Sequence, residues 1–329
     1  MIIRPLIKGV LTLIPGVESI LPKGKTGGTD TAVYCYGVWL KHLTILFNNG
    51  MQTIPNTIAE LGPGDSLGVG LAAMLSGVNN YYSLDIVRYS NTTHNIKVFD
   101  ELVDLFKTRA ARPTRGWPDY DMYLDQRLFP SIILTKEKLE ESLSEERIYR
   151  IRNALVNQEA QDEVVSIKYM VPWTDNNIID KECVDLVVSH SVLEHVVDLE
   201  STYRAISKWL KPNGMMSHQI DFTSHGLSGK WNGYRAYSEI FWKMLVGNRP
   251  WLINRQPCSV HMELMKENGF EVICHLKKHR TDGIQRSQLA SRWMDISNDD
   301  LTCSGTFIVA QKHESLSGNI KLDYKVFGA

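Results

Sequence analysis

The sequence has no excess of charge of either sign. Its 36 lysine and arginine residues are balanced by 37 acidic residues, which gives a formal net charge of −1. Proteins that bind nucleic acid generally carry a basic face that neutralises phosphates. The charge balance therefore argues against a nucleic-acid partner.

Cysteine is scarce and scattered through the chain. The five cysteines are odd in number and none of them forms a CxxC pair. The sequence therefore indicates neither a zinc site nor a disulfide framework. Unpaired thiols are typical of a reducing compartment, and we expect a cytoplasmic protein.

Long apolar runs are also missing. The first 17 residues are fairly apolar, but Arg4 and Lys8 interrupt them and the segment is too short to span a bilayer comfortably. Its apolar residues fall near helical spacing, which predicts a helix on a core or partner surface. An anchor on a membrane surface is the alternative, and the sequence leaves the oligomeric state open.

Apolar segments with strand character alternate with helical patterns, which predicts an open, parallel α/β sheet. A helix is predicted at 192–210, after the fourth strand. The predicted strands are 57–61, 81–86, 164–169, 184–189, 215–222, 270–275 and 306–311.

The same patterns divide the chain into a core and additions. We expect an N-terminal helical segment at 1–50, a core at 51–90 and 163–312, and a C-terminal tail at 313–329. Residues 91–162 mix charged residues with leucine and phenylalanine at helical spacing, which predicts inserted helices that form a cap over the active site.

A glycine-rich loop follows the first strand, in the segment Glu60-Leu61-Gly62-Pro63-Gly64-Asp65-Ser66-Leu67-Gly68. Glycines let the backbone approach a ligand, and the helix that follows offers free N–H groups to an anion. Asp85 ends the next strand, where an acid can accept hydrogen bonds from a ribose. These features indicate an adenosine ribose and leave NAD and S-adenosylmethionine both open.

The segment from Val184 to Val196, VDLVVSHSVLEHV, closely resembles the fourth motif of class I S-adenosylmethionine-dependent methyltransferases, of the VLEH type found in methyltransferase domain 11. Lys211-Pro212-Asn213-Gly214 is similar to the LKPGG turn of that family, with Asn213 in place of a glycine. The resemblance implies a Rossmann-like, seven-stranded, mostly parallel sheet with helices on both faces. It also implies S-adenosylmethionine as the cofactor.

The resemblance further implies roles for individual residues. Ser189 at the tip of the fourth strand would lie at the cofactor, and it would face the transferable methyl together with His190. The loop residues and the strand ends would hold the rest of the cofactor. The methionyl part would be held by Glu60, Gly62, Gly64 and Gly68, the ribose by Asp85, and the adenine by Tyr169 and Met170.

Methyl transfer from a sulfonium needs mainly in-line alignment of the acceptor, and a hydroxyl acceptor also needs a base. His190 and His218 lie on adjacent predicted strands, so we expect them to converge as catalytic residues. His195 is interpreted as a helix-packing or helix-capping residue. We therefore predict a small-molecule or glycan acceptor, methylated at a hydroxyl.

Two further sets of residues bear on the acceptor side. The spacing of His218, Asp221 and His225, with Glu194 nearby, matches no familiar zinc signature, and we expect no metal site. Stacked aromatics with arginine can hold a sugar or an aromatic ring. Such a cluster follows the fifth strand, at Trp231, Tyr234, Arg235, Tyr237, Trp242 and Trp251.

Other functions remain as alternatives at this point. An NAD-linked oxidoreductase can use a related Rossmann sheet, and a non-catalytic binding protein can keep the cofactor fold. Ser189-His190-Ser191-Val192 stands where methyltransferases of exocyclic DNA amines carry Asp/Asn-Pro-Pro-Tyr, and no Pro-Cys nucleophile is present. These two absences argue against methylation of DNA bases.

Overall fold

The structure is a computed structural model that describes most of the chain. The described residues are 3–15, 28–113, 122–124, 128–157, 162–173, 175–249 and 252–313. The predicted C-terminal tail lies outside them apart from His313, and so do parts of the N-terminal segment and of the insertion. Within this part of the chain, no helix combines the length and the apolar character needed to cross a membrane.

Seven strands form one sheet in the order β3-β2-β1-β4-β5-β7-β6. β7 runs antiparallel to both of its neighbours, and the other pairs are parallel. This arrangement confirms the predicted mostly parallel, Rossmann-like sheet. The strands are β1 Thr57–Leu61, β2 Asn80–Leu84, β3 Ser166–Met170, β4 Val184–His190, β5 Leu210–Asp221, β6 Phe270–His279 and β7 Cys303–Lys312.

Helices cover both faces of the sheet, as predicted, and most begin at a side chain that caps the first turn. Thr31, Asn91 and Asp198, for example, each accept a hydrogen bond from the backbone N–H three residues later. The helices are α1 Ile3–Leu11, α2 Ala32–Asn48, α3 Gly68–Leu75, α4 Thr92–Lys107, α5 Lys136–Ser142, α6 Glu145–Val156, α7 Leu199–Trp209, α8 Glu239–Val246, α9 Cys258–Glu267 and α10 Asn298–Thr302.

Alternation along the strands divides the apolar core into two layers. Ile58 and Val188 belong to the layer that packs under α2, α3 and α4. Ala59 and Val187, one position away, belong to the opposite layer with α7 and α9. A shift of one residue along a strand therefore decides which face of the sheet a side chain reaches.

The predicted helix at 192–210 is wrong at its start. Leu193–His195 forms a single 3₁₀ turn, and α7 begins only at Leu199 because the Asp198 side chain accepts a hydrogen bond from the Ser201 N–H. The Lys211–Gly214 segment lies within the bounds of β5, where it interrupts the pairing with β4 between Leu210 and Met215. Asn213 does have a left-handed φ of 61°, as its predicted tolerance of that conformation requires.

The insertion contributes α4, α5 and α6, which join the helical layer beside α2 and α3. The described residues between α4 and α5 include Tyr123, whose ring centroid lies 6.1 Å from that of Phe307 on β7. The Arg112 guanidinium donates a hydrogen bond to the carbonyl of Leu124. This part of the insertion therefore lies near the sheet, and its role as a cap stays a prediction.

Candidate functional site

The glycine loop and Asp85 meet at the carboxyl edge of the sheet. The Gly62 N–H donates to the Leu84 carbonyl at 2.8 Å, which ties the end of β1 to the end of β2. The Gly64 N–H donates to Oδ2 of Asp85 at 3.4 Å. Gly62 and Gly64 have φ values of +65° and +73°, which other residues rarely adopt. The structure therefore brings together the two features that the sequence predicted to hold an adenosyl group.

Two predicted cofactor glycines are required by packing. A Cβ on Gly62 would lie 2.6 Å from a methyl of Val192, in the segment that follows β4. A Cβ on Gly68 would lie 2.4 Å from Sγ of Cys35 on α2 and 2.9 Å from a methyl of Val98 on α4. Gly62 thus keeps the loop close to the tip of β4, whereas Gly68 lets α3 pack against its neighbouring helices.

The amides at the start of α3 are not free, contrary to the prediction. The Asp65 N–H donates to Oγ1 of Thr29 at 2.8 Å, and the Leu67 N–H donates to Oδ1 of Asn95 at 2.9 Å. The Gly68 N–H donates to the hydroxyl of Ser66 at 3.1 Å. Side chains from before α2, from α4 and from the loop itself satisfy these amides, so these three N–H groups are not available to an anion.

Asp85 is buried at the end of β2, with 6% of its surface exposed. Burial raises the pKa of its carboxyl group, while hydrogen bonds from the Ile86, Val87 and Gly64 amides lower it. An ionised carboxylate has about four acceptor positions, so capacity remains for a hydroxyl donor. The position and chemistry of Asp85 fit a ribose.

Glu60 lies inside the interface between the sheet and α3. The Tyr81 hydroxyl donates a hydrogen bond to Oε2 of Glu60. Burial raises the pKa of Glu60 to about 7, and the hydrogen bonds from Tyr81 and the Gly70 amide act in the opposite direction. Glu60 therefore holds the end of β1 to α3, the helix that follows the glycine loop. Its predicted contact with the methionyl group stays a prediction.

The end of β3 adjoins Asp85, which fits the predicted adenine side. The Asp85 N–H donates to the Met170 carbonyl at 3.2 Å. The Arg88 guanidinium lies 4.6 Å from the ring centroid of Tyr169. The structure therefore places Tyr169 and Met170 beside the proposed ribose acid, and their contact with adenine stays a prediction.

The expected convergence of His190 and His218 is wrong. Ser189 pairs with His218 in the register of β4 and β5, and His190 pairs with Gln219. Paired residues in a sheet share a face, and the next position faces the other side. The Ser189 hydroxyl accordingly lies 2.7 Å from Nδ1 of His218, toward the α7 layer, while His190 faces α2. Of these two histidines, His190 remains the candidate base.

His42 on α2 is a site residue that the sequence analysis missed. Its Nε2 lies 3.2 Å from Nδ1 of His190, and its Nδ1 lies 2.7 Å from the Ser217 hydroxyl on β5. His42 and its neighbour Lys41 are fully buried. The two adjacent polar residues Lys41 and His42, in a stretch from Val38 to Phe47 that is otherwise apolar apart from Thr44, were the available signal in the sequence.

The two imidazoles are neutral near pH 7. Burial lowers the pKa of His190, and the adjacent His42 and Lys41 lower it further. Burial likewise lowers the pKa of His42 well below its usual range. If His42 donates from Nδ1 to Ser217, its Nε2 accepts from Nδ1 of His190. Nε2 of His190, which makes no hydrogen bond with a described residue, is then an unprotonated acceptor.

Buried neutral histidines make stability depend on pH. Burial lowers the pKa of His261 to about 3, and its Nδ1 lies 2.9 Å from the Tyr203 hydroxyl. The unfolded chain binds this proton below about pH 6.5 and the folded chain does not. The stability is therefore complete above pH 6.5 and is lost as the pH falls toward 3, at up to about 1.4 kcal/mol per pH unit.

We expect His261→Gln to remove this dependence while keeping a polar partner for Tyr203. Between pH 6 and 4, the free energy of unfolding of the variant falls less steeply than that of the unchanged protein, by about one proton. Urea denaturation at a series of pH values measures both slopes. The raised pKa of Glu60 changes the stability in the opposite direction as the pH falls. Both proteins contain Glu60, so its contribution cancels when their slopes are compared. Parallel slopes for the two proteins contradict the prediction.

Most members of the predicted aromatic cluster are core residues. Tyr234 and Trp242 pack in a small apolar cluster with Leu245, and the Tyr234 hydroxyl donates to the Phe222 carbonyl at 3.1 Å. Arg235 is fully buried and donates to the Asp300 carbonyl. Trp251 lies outside the described residues. These contacts leave Tyr234, Trp242 and Arg235 engaged with the protein rather than with a sugar.

Comparison with known proteins gives a family for part of the chain. Residues 143–217 match the family model described as a methyltransferase domain, a segment that covers β3, β4 and most of β5. This segment contains the VLEH motif. No curated protein matches the sequence.

The three solved structures with similar folds described next are distant from this chain in sequence. An S-adenosylmethionine-dependent methyltransferase from Methanosarcina mazei is 13% identical, covers 82% of this chain and 98% of its own, and has a TM-score of 0.43. One from Mesorhizobium loti is 14% identical, with 82% and 96% covered and a TM-score of 0.41. Phosphoethanolamine N-methyltransferase 2 of Haemonchus contortus is 14% identical, with 88% and 58% covered and a TM-score of 0.41.

Proposed function

We propose that this chain is a class I S-adenosylmethionine-dependent methyltransferase that methylates a hydroxyl group of a small molecule or glycan, since residues 143–217 match the methyltransferase domain model. S-adenosylmethionine is its cofactor and supplies an activated methyl group on a sulfonium.

The residues of this chain fit the cofactor. The glycine loop follows a path that needs positive φ at Gly62 and Gly64, and Asp85 closes the adjacent strand beside the loop. Ligands of such sheets lie beyond the carboxyl ends of the strands, at the point where strand order reverses between β1 and β4. We propose that Asp85 binds the ribose, Tyr169 and Met170 the adenine, and the Gly62–Gly64 loop the methionyl part.

The observation that carries the hydroxyl assignment is the hydrogen-bonded chain Ser217–His42–His190 at the tip of β4. A hydroxyl becomes a good nucleophile when a base takes its proton during the transfer. We propose that Nε2 of His190 takes this proton. Nδ1 of His190 then donates to His42, which holds the ring in the tautomer that leaves Nε2 as the acceptor.

Proton transfer and methyl transfer take place in one displacement step, and together they account for every bond and proton. With S-adenosylmethionine bound, the acceptor oxygen would form a bond to the methyl carbon while the bond from that carbon to sulfur breaks and its electron pair stays on sulfur. The acceptor proton moves to Nε2 of His190 and passes to solvent after product release. Alignment of the acceptor with the carbon–sulfur bond provides the rest of the rate enhancement.

The cofactor assignment is tested by Asp85→Asn. The change keeps the size of the side chain and removes the charge, so hydrogen bonds from ribose hydroxyls weaken. We expect the Kd for S-adenosylhomocysteine to rise about 10- to 100-fold by isothermal titration calorimetry. Asp104→Asn, an exposed carboxylate on α4, is the matched control and leaves the Kd unchanged. Equal affinity for all three proteins contradicts the role of Asp85, and preference for NADH contradicts the cofactor.

The acceptor class is tested by turnover. Release of S-adenosylhomocysteine is measured with panels of alcohols, phenols, sugars and amines at equal concentration. Turnover confined to hydroxyl compounds supports the proposal, and turnover confined to amines overturns it. Cofactor binding without turnover on any panel favours a non-catalytic binding protein.

The five cysteines are free thiols, which fits the reducing cytoplasm that we propose for the chain.

A further inference from the structure

Four potential metal ligands gather at the carboxyl edge of the sheet. Glu194 and His195 lie in the 3₁₀ turn after β4, while Asp221 ends β5 and His225 follows it. One ligand atom from each of Glu194, His195 and His225 lies within 4.8 Å of the other two. Nε2 of His225 is 3.5 Å from Oδ2 of Asp221, and the rings of His195 and His225 are 4.9 Å apart.

Glu194 is the member of the cluster whose burial and lack of hydrogen bonds point to a role as a cation ligand. Its side chain is 3% exposed, and neither carboxylate oxygen makes a hydrogen bond of ordinary geometry with a described residue. Its one ion pair among those residues is with His225, at 4.0 Å. Burial and the nearby Asp221 raise the pKa of Glu194, while the amides of Glu194 and Asp221 lower it. Buried carboxylates of this kind are usually paired or bound to a metal.

We propose that Glu194, His195, Asp221 and His225 bind one divalent transition-metal ion. Tetrahedral bonds of about 2.1 Å to a shared ion place ligand atoms about 3.4 Å apart, so shifts of less than about 1 Å by each of Glu194, His195 and His225 close the cluster. Two imidazole nitrogens and two carboxylate oxygens favour zinc, manganese, iron or cobalt over magnesium and calcium. The prediction of no metal site rests on the spacing of His218, Asp221 and His225, which matches no familiar zinc signature. In the structure Ser189 engages His218, and His195 takes its place.

The cluster lies next to the proposed acceptor side. The turn that carries Glu194 and His195 continues from Val192, which contacts Gly62 of the cofactor loop. A metal ion there would bind an acceptor oxygen and lower the pKa of its hydroxyl. This role rests on the proposed hydroxyl acceptor, whereas binding of the ion does not.

The test uses the full chain, purified with chelator and then freed of it. Co²⁺ absorption in the visible range and calorimetry with Zn²⁺, Mn²⁺ and Mg²⁺ report on the site without turnover. We expect one equivalent of Co²⁺ or Zn²⁺ per chain, a higher melting temperature with the ion, and weaker binding of Mg²⁺. Glu194→Gln and His225→Gln should each weaken Zn²⁺ binding at least about 10-fold.

His279→Gln is the matched control, because His279 also lies beside a carboxylate, at 3.6 Å from Asp299, on the surface. The control should bind Zn²⁺ as the unchanged protein does. Glu194→Gln keeps the shape of the side chain, and its circular dichroism spectrum checks its folding. No stoichiometric binding, or binding that both variants retain, overturns the proposal. Metal binding without methylation of any hydroxyl compound supports the site while contradicting its role in the proposed function.

Discussion

His190→Gln is expected to lower kcat for methyl transfer by about 10²- to 10⁴-fold, the range by which a positioned base contributes to catalysis. Glutamine can keep a hydrogen bond to His42 but cannot take a proton at the position of Nε2. The Kd for S-adenosylhomocysteine should stay within about threefold, because the proposed cofactor contacts of Asp85 and the glycine loop are intact. Single-turnover kinetics on the accepted hydroxyl compound separate the chemical step from binding.

His42 acts through His190, so its variant has a different signature. His42→Gln leaves Nε2 of His190 in place but no longer fixes the tautomer, and we expect a smaller loss of kcat than in His190→Gln. His313→Gln, an exposed histidine at the end of β7, is the control for loss of an imidazole. A His190→Gln enzyme with unchanged kcat contradicts the role of His190 as the base.

The pH profile gives an independent check on His190. Since its pKa is lowered well below 6.5 by burial and by His42, the ring is neutral throughout the range from pH 6.5 to 8. Titration of His190 should therefore cause no loss of kcat on going from pH 8 to 6.5. The contrary result is a loss of kcat with a midpoint near pH 7 that disappears in the His190→Gln variant. It would show that His190 is protonated in this range.

The fold and the cofactor loop could be predicted because their signals are local. β1, the turn at Gly62 and Gly64, and the acid that ends β2 follow one another along the chain, and each is recognised within a few residues. The observed strand bounds differ from the predicted ones where pairing with a neighbouring strand, rather than the local sequence pattern, decides where a strand begins. β5 begins at Leu210 because it pairs there with Val184, across an irregularity in the register.

The base and its partner could not be found in the same way. His42 and His190 are 148 residues apart, and only the packing of α2 on the sheet joins them. His218 and His190 face opposite sides of the sheet because their positions in the register differ by a single residue. The sequences of two separate strands do not specify this register. The capping of the α3 amides by Thr29 and Asn95 is likewise a tertiary contact, so local sequence reasoning left those amides free.

Gly70→Val is expected to destabilise the folded chain by at least about 3 kcal/mol, at the upper end of the cost of overpacking a core. A Cβ at Gly70 on α3 would lie 2.0 to 2.3 Å from three atoms of the Tyr81 ring. The ring has no space to move away, because Tyr81 is 1% exposed and its hydroxyl is bonded to Glu60. The free energy of unfolding from urea titrations measures the effect.

Gly70→Ala keeps this prediction testable if the valine variant fails to fold. Alanine stabilises a helix relative to glycine by about 1 kcal/mol, so the backbone effect of this change is favourable. If the alanine variant is nevertheless less stable, the clash with Tyr81 is the cause. Gly229→Ala is the control, because a Cβ there meets no atom within 4 Å. In the double variant Gly70→Ala, Tyr81→Leu, the smaller side chain relieves the clash, and the loss should be less than the sum of the two single losses. Additive losses would show that Tyr81 is not what requires a glycine at this position.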